Sequence, residues 1–281
     1  MIELTADRYG KAAIRIVRVG RDETPHRLRD LTVAVALEGD FTAAHTDGDN
    51  TNVIATDTMK NTAYAFAAEH LTGSIETYAT ALARHFQEAP QVARATVNVR
   101  EHAWHPIDVA GSPAPDAFVR SGQGTRVATV AATRNELTVE AGVEDLVLMK
   151  TSRSSFSGFP RDTFTTLAET DDRLMATKLT AIWQYGSPDL DFDAAHAAVR
   201  ATLLEVFADH DSPSAQTSIW IMGQAILERH EEVDAIRMVM PNLHHWTVDL
   251  SAFGIANDRL VYVATTEPHG LIEATVRRSD G

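Results

Sequence analysis

The stretch Leu31-Thr-Val-Ala-Val-Ala-Leu37 decides the fold class of this chain. Leu31, Val33, Val35 and Leu37 alternate with Thr32, Ala34 and Ala36. A period of two residues puts the large side chains on one face of an extended strand and leaves the other face for a different use. Upstream, Lys11 to Val19 reads as a second strand whose alternation changes phase between Ile16 and Val17, which predicts a β-bulge there. The polar link Arg21 to His26, which contains Pro25, joins the two as a long hairpin.

Downstream the period changes. Met59, Ala63, Phe66 and Ala67 recur at helical spacing between Asp57 and His70, with Thr56 or Asp57 as the expected cap. Ile75, Tyr78, Ala79, Leu82 and Phe86 do so between Ser74 and Glu88, with Ser74 as cap. Alternation returns at Ala93, Ala95, Val97 and Val99, and an extended stretch follows the loop at Gly111–Pro115 and runs to Arg134. The order then repeats. Leu137 to Val143 and Thr177 to Trp183 alternate, and Phe192–Ala208 and Pro213–His230 are helical, the latter opened by Ser212 as cap and Pro213 at the first helical position. Trp246, Val248 and Leu250 alternate, as do Ile272, Ala274 and Val276. The expectation is an α+β chain of two domains, 1–134 and 135–281, each strand-strand-helix-helix-strand-strand with an antiparallel sheet and two helices on one face. The bare sheet faces are then solvated or buried against another subunit.

The chain has 281 residues, 44% hydrophobic and 23% charged, which is ordinary globular usage. It contains no cysteine, so disulfides, thiolate metal sites and cysteine nucleophiles are excluded. A formal net charge of −14 opposes binding to a phosphate backbone or an anionic membrane surface. No apolar run is long enough for a membrane span, and neither a secretory signal at Met1–Val17 nor a peroxisomal address at the terminal Arg277–Gly281 is recognisable, so a cytoplasmic location is expected.

Phosphate-loop, dinucleotide, nucleophile-elbow and zinc-protease signatures are absent from the sequence. Four polar clusters remain. Asn52 to Thr62 enters a helix, where backbone N–H groups and the Thr56 hydroxyl cap the helix or bind a polar ring edge. Gly158 to Arg173 is a long loop ending in an arginine, either a solvated surface segment or a binding loop whose guanidinium makes a two-pronged contact. Met240 to Trp246 holds His244 and His245, expected on opposite faces of a strand and so unable to share one metal; proton transfer by one of them is the better reading. His102 and His105 have metal-ligand spacing but no carboxylate nearby in sequence. Lys11 opens the first strand and becomes a base only if it is desolvated against Thr56.

In this order the pieces Tyr9-Gly-Lys11, Ala55-Thr-Asp-Thr-Met-Lys-Asn-Thr62, Gly158-Phe-Pro-Arg-Asp162 through Arg173, Pro241-Asn-Leu-His244 and Gly270-Leu-Ile-Glu-Ala-Thr275 resemble the urate oxidases (uricases), along nearly the whole chain. The resemblance implies tandem tunnelling-fold (T-fold) domains, a homotetramer with active sites at subunit interfaces, and no cofactor or metal. It implies that urate is oxidised by dioxygen and water to 5-hydroxyisourate and hydrogen peroxide. It assigns Phe156 to stack on urate, Arg173 and Gln216 to grip its edges, and Leu167 and Ala215 to line the pocket. Thr56 and Asp57 would close the far edge from a neighbouring subunit. Lys11 and Thr56 would relay a proton with help from His244, and Asn242, with Thr56, would hold dioxygen or water above the ring. Two positions depart from the family pattern: Leu243 replaces a usual lysine, and Ala215 a common valine. The alternatives are another T-fold enzyme acting on purines or pterins, usually zinc-dependent, and a catalytically silent T-fold binding protein.

Overall fold

The computed structural model describes residues 2–265 and 267–279; the end of the C-terminal stretch read above, Asp280 and Gly281, lies outside the described residues. The chain divides into two compact units, Met1–Gly142 with Gln184–Ala197, and Val143–Trp183 with Ala198–Gly281. The boundaries of this division fall inside two strands and a helix, and differ from the 134/135 turn expected from the sequence.

The first half of the chain runs β1 (Tyr9–Gly20), β2 (Arg27–Gly39), α1 (Thr42–Thr46), α2 (Thr56–His70), α3 (Ile75–Gln87), β3 (Val92–Glu101), β4 (Trp104–Val109), β5 (Ser112–Arg120) and β6 (Thr125–Thr133). Its sheet order is β1-β2-β3-β6, with β4 and β5 a separate two-stranded ribbon. All three pairings within that order are antiparallel. The second half runs β7 (Leu137–Lys150), β8 (Met175–Tyr185), α4 (Phe192–Asp209), α5 (Ala215–Arg229), β9 (Val233–Leu243), β10 (His245–Thr247), β11 (Tyr262–Ala264) and β12 (Gly270–Arg277). Its sheet order is β7-β8-β9-β12. The doubled strand-strand-helix-helix-strand-strand order is therefore present, with a hairpin inserted in each half.

The alternation that predicted β2 is a burial pattern: Leu31, Val33, Val35 and Leu37 are buried, while Thr32, Ala34 and Ala36 are not. α3 lays Ile75, Tyr78, Ala79, Leu82 and Phe86 onto β3 and β6. α5 packs on β9 and β12. Gly223 allows that approach, because a Cβ there would lie 2.6 Å from Cγ2 of Val276.

Four local expectations are corrected. The bulge in β1 lies between Lys11 and Ile14, not at Ile16/Val17; Val17 simply faces solvent. The extended stretch toward Arg134 is two strands, β5 and β6, belonging to different sheets. The alternation at Trp246–Leu250 forms only the three-residue β10, followed by a helical turn at Ser251–Phe253. The cap positions also move. α2 starts from Ala55 with no side-chain cap, and α5 is capped by Ser214, whose hydroxyl accepts from Thr217 N at 3.1 Å, not by Ser212.

A buried ion network closes the first unit. Glu76 is fully buried at the start of α3 and accepts from Arg126 at 2.7 Å, while Arg126 also donates to Asp193 at 2.6 Å. Arg29 bonds to Glu101 and reaches Asp193 at 3.3 Å. Burial pushes the Glu76 carboxyl above its usual range despite the Arg126 charge. Arg126→Met leaves Glu76 buried and unpaired, which is expected to cost about 3–5 kcal/mol in a chemical-denaturation measurement. Adding Glu76→Gln is expected to restore part of that loss, because a neutral amide is cheaper to bury.

Candidate active site

The second unit contains a cavity of about 690 Å³ whose walls include Phe156, Leu167, Arg173, Ala215, Gln216, Asn242 and His244. That volume suits a small heterocycle. All seven residues that the sequence placed here therefore meet in one site.

The Gly158–Arg173 loop is an excursion pinned at its base. Phe156 and Thr170 exchange backbone hydrogen bonds at 2.8 and 3.0 Å, and Gly158 N donates to the Glu169 carboxylate at 2.9 Å. Arg173 N donates to Ser154 O at 2.8 Å. The loop thus returns Arg173 beside Phe156, with the guanidinium 5.2 Å from the ring centroid. Phe156 stacks on Phe159 at 5.0 Å, which holds its plane. Arg173 has no carboxylate partner among the described residues, and its Nε is buried without a hydrogen bond. Burial works against its charge and lowers its pKa. A desolvated cation with open donors is a receptor for a flat acceptor edge.

Ala215 and Gln216 form the first turn of α5. The Gln216 amide has no partner among the described residues, so both its donor and its acceptor are available. Asn242 reaches the cavity from the end of β9, opposite Gly270 of β12.

His244 and His245 both line the cavity, contrary to the expectation that they face apart. The strand breaks at His244, between β9 and β10, so the alternation of side chains is lost there. His244 stacks on Trp246 at 5.3 Å. Burial, then the charges of Arg173, His269 and His245, hold its pKa below the ordinary histidine value. His244 is thereby kept neutral near pH 7 and able to accept a proton. Among the described residues no group of three or more His, Asp or Glu could hold a metal ion. His102 is engaged at 2.8 Å with Thr32 and at 2.7 Å with Arg120.

Lys11, Thr56 and Asp57 belong to the first unit, where Lys11 lies close enough to Asp57 for its charge to act on the carboxyl. Gly10 lets β1 approach β2 so closely that a Cβ would collide with the Val35 carbonyl oxygen. The bulge immediately after Lys11 re-aims the strand. The Tyr9 hydroxyl, two residues earlier, accepts from Ile54 N at 2.8 Å and donates to Ile54 O at 3.2 Å, tying the entry of α2 to β1. The sequence reading missed this clamp, although Tyr9 stood in its motif. Because Ala55 occupies the cap position, the Thr56 hydroxyl is not used for capping and has no partner among the described residues. Asp57 is bonded to Lys60 and, at 2.9 Å, to Asn61. Its attraction to Lys60, with smaller contributions from Asn61 and Lys11, lowers its pKa.

An acceptor-seeking arginine over an aromatic ring, a bifunctional amide and a histidine line one cavity, a set suited to a flat, anionic, hydrogen-bonding heterocycle. The family model described as uricase matches residues 7–131 and 139–273. The chain is 42% identical over 278 residues to the uricase of Arthrobacter globiformis, covering 99% of this chain and 90% of that one. It is 33% identical over 296 residues to the uricase of Aspergillus flavus, covering 99% and 98%. The crystal structure of uricase from Arthrobacter globiformis superposes with a TM-score of 0.94 at 41% identity, covering 100% of this chain and 96% of that one. The chain belongs to the uricase family, and its fold is the tandem T-fold expected from the resemblance.

Proposed function

We propose that this chain oxidises urate with dioxygen and water to 5-hydroxyisourate and hydrogen peroxide. One observation carries the reading: the half-buried Arg173 has no ion-pair partner among the described residues and lies over Phe156 in the cavity that also holds the unengaged Gln216 amide. Urate is a planar anion with a dione edge for the guanidinium fork and a mixed donor–acceptor edge for an amide. Phe156 stacks on its ring, and Leu167 and Ala215 exclude water around it. A second copy of the chain supplies Thr56 and Asp57 at the far edge, in a homotetramer. Lys11 and Thr56 take the proton from urate through a water, and His244 assists. The resulting electron-rich dianion passes two electrons to dioxygen held by Asn242 and Thr56. Hydroxylation at C5 by water and release of peroxide balance the reaction. The residues' work is binding, proton removal and preorganised polarity.

The test follows loss of the near-ultraviolet absorbance of urate under air, assays peroxide in parallel, and adds a strong chelator to half the samples. Loss of urate with equimolar peroxide, unchanged by chelator, is the expected result. Chelator-sensitive loss would turn the reading toward a metal enzyme of the T-fold group. No loss from a correctly assembled oligomer would turn it toward a silent binder or another heterocycle.

A further inference from the structure

Ser212, which the sequence marks as a helix cap, instead ends a buried hydrogen-bond chain whose central member is Ser218. His210 Nδ1 lies 2.6 Å from the carbonyl oxygen of Val206, and because a carbonyl only accepts, Nδ1 carries the proton. In the neutral ring Nε2 is then a bare acceptor, 2.8 Å from the Ser218 hydroxyl. The Ser218 and Ser212 hydroxyls are 2.8 Å apart, each also 3.2 Å from the Ser214 carbonyl oxygen; with Ser218 donating to the shorter contact at His210 Nε2, Ser212 is the hydroxyl that donates to Ser218, giving Ser212 O–H to Ser218 O–H to His210 Nε2. Ser212 and Ser218 are almost wholly buried, at 1% and 0% exposure, so no water can replace a missing member. Lys150 and Arg153 face His210 with positive charge and Asp211 with negative; burial, followed by the two cations, lowers its pKa and keeps the ring neutral. His210 itself is anchored by the end of α4, where its carbonyl accepts from Lys150 at 2.8 Å.

The three groups assigned to the ligand hang from this chain. Ser218 is two residues beyond Gln216 in the first turns of α5. The Ser212 backbone accepts from Ser155 N at 2.8 Å and donates to Arg153 O at 2.9 Å, which places it in a ladder with the segment leading into Phe156. Ser154, in the same ladder, accepts from Arg173 N at 2.8 Å. The path from Gln216 to Arg173 and Phe156 runs along the backbone to Ser212 and across its ladder, and the Ser212–Ser218–His210 contacts brace that path against α5 and the end of α4.

We propose that His210, acting through Ser218 and Ser212, is a positioning residue of the ligand site that sets Gln216 at its working separation from Arg173 and Phe156. The inference rests on reading the cavity as the urate site. A gripping pair tolerates little slack, because each hydrogen bond weakens steeply with misalignment.

The test is equilibrium binding of urate to the intact protein under nitrogen, where no turnover occurs. His210→Phe keeps the ring volume and removes both bonds; its urate dissociation constant is expected to rise about tenfold, the scale of one lost buried hydrogen bond. His210→Gln, whose amide oxygen accepts from Ser218, is expected to recover most of the affinity. In a Gln216→Ala background, His210→Phe is expected to change affinity by less than about twofold, because a positioning residue has nothing left to position. General loosening of the fold would instead add in full on that background and would not be rescued by glutamine. Ser212→Ala, which removes only a hydroxyl, is the second variant should His210→Phe fail to fold, and it is expected to act in the same direction. Wild-type affinity in His210→Phe or Ser212→Ala, or full additivity with Gln216→Ala, would overturn the proposal while leaving the urate reading intact. A wild-type protein that binds no urate would overturn the reading of the site itself.

Discussion

Replacing Arg173 by alanine is expected to raise the dissociation constant for urate by about 10²–10³-fold, the largest effect on binding of any single change in the cavity. A hydrogen bond to a charged group contributes about 1.5–3 kcal/mol, and the guanidinium fork offers two to one edge of the ligand. Arg173 sits in a half-buried position where burial already opposes its charge, so a bound anion gains from a field that water screens less than at the open surface. The preorganisation is local: the backbone bond to Ser154 at 2.8 Å and the Phe156 ring at 5.2 Å fix where the guanidinium lies before any ligand arrives. Arg173→Lys keeps a charge but loses the planar fork, and its affinity is expected between wild type and alanine. Anaerobic titration of urate reads the affinities directly. An unchanged affinity in Arg173→Ala would show that the ring lies elsewhere.

The largest effect on turnover is expected at the other pole of the proposed site. Thr56→Val and Lys11→Met should each lower kcat by about 10²–10⁴-fold, the usual contribution of a positioned proton-transfer group, while urate affinity changes much less. Tyr9, two residues before Lys11, ties the entry of α2 to β1, and the charge of Lys11 acts on Asp57 beside Thr56, which is compatible with a shared task. Residues that work as a unit are non-additive, so the double variant should lose little more than either single one. Steady-state kinetics alongside anaerobic binding separates the two parameters. If both variants kept kcat and lost only affinity, Lys11 and Thr56 would be binding groups and the proton path would run elsewhere.

Much of this molecule is legible from periodicity alone. The two-residue alternation of Leu31 to Leu37 and the helical recurrence of Ile75 to Phe86 are local signals, because each requires only that one face meet a core. Ser74 is legible as a cap for the same reason, and its hydroxyl accepts from Thr77 N at 3.1 Å. The misreadings have a common origin. Ser212 and the His244–His245 pair each satisfy a local rule that contacts distant in sequence override, while for Thr56 the same kind of contact removes the capping reading and leaves the open-hydroxyl reading. Thr56 is left open because Ala55 takes the cap position of α2, whose entry Tyr9 of β1 ties down through Ile54. Ser212 forgoes capping because a ladder with residues 153–155 and the Ser218 hydroxyl claim it. The two histidines share a cavity because β9 ends one residue before a new strand pairing begins.

The sequence by itself determined the strand and helix order, its repetition and the absence of thiol chemistry, while the residues that grip the ligand came from the resemblance of its motifs to a family. The former properties follow from covalent identity and short-range period, which need no knowledge of what packs against what. The tertiary structure alone decided which polar groups are satisfied internally and which are left open. Among the described residues Arg173 and Gln216 lack side-chain hydrogen-bond partners while Ser212, Ser218 and His210 satisfy one another, and that distinction depends on burial and long-range hydrogen-bond geometry. It separates the groups that face a ligand from those that hold them in place.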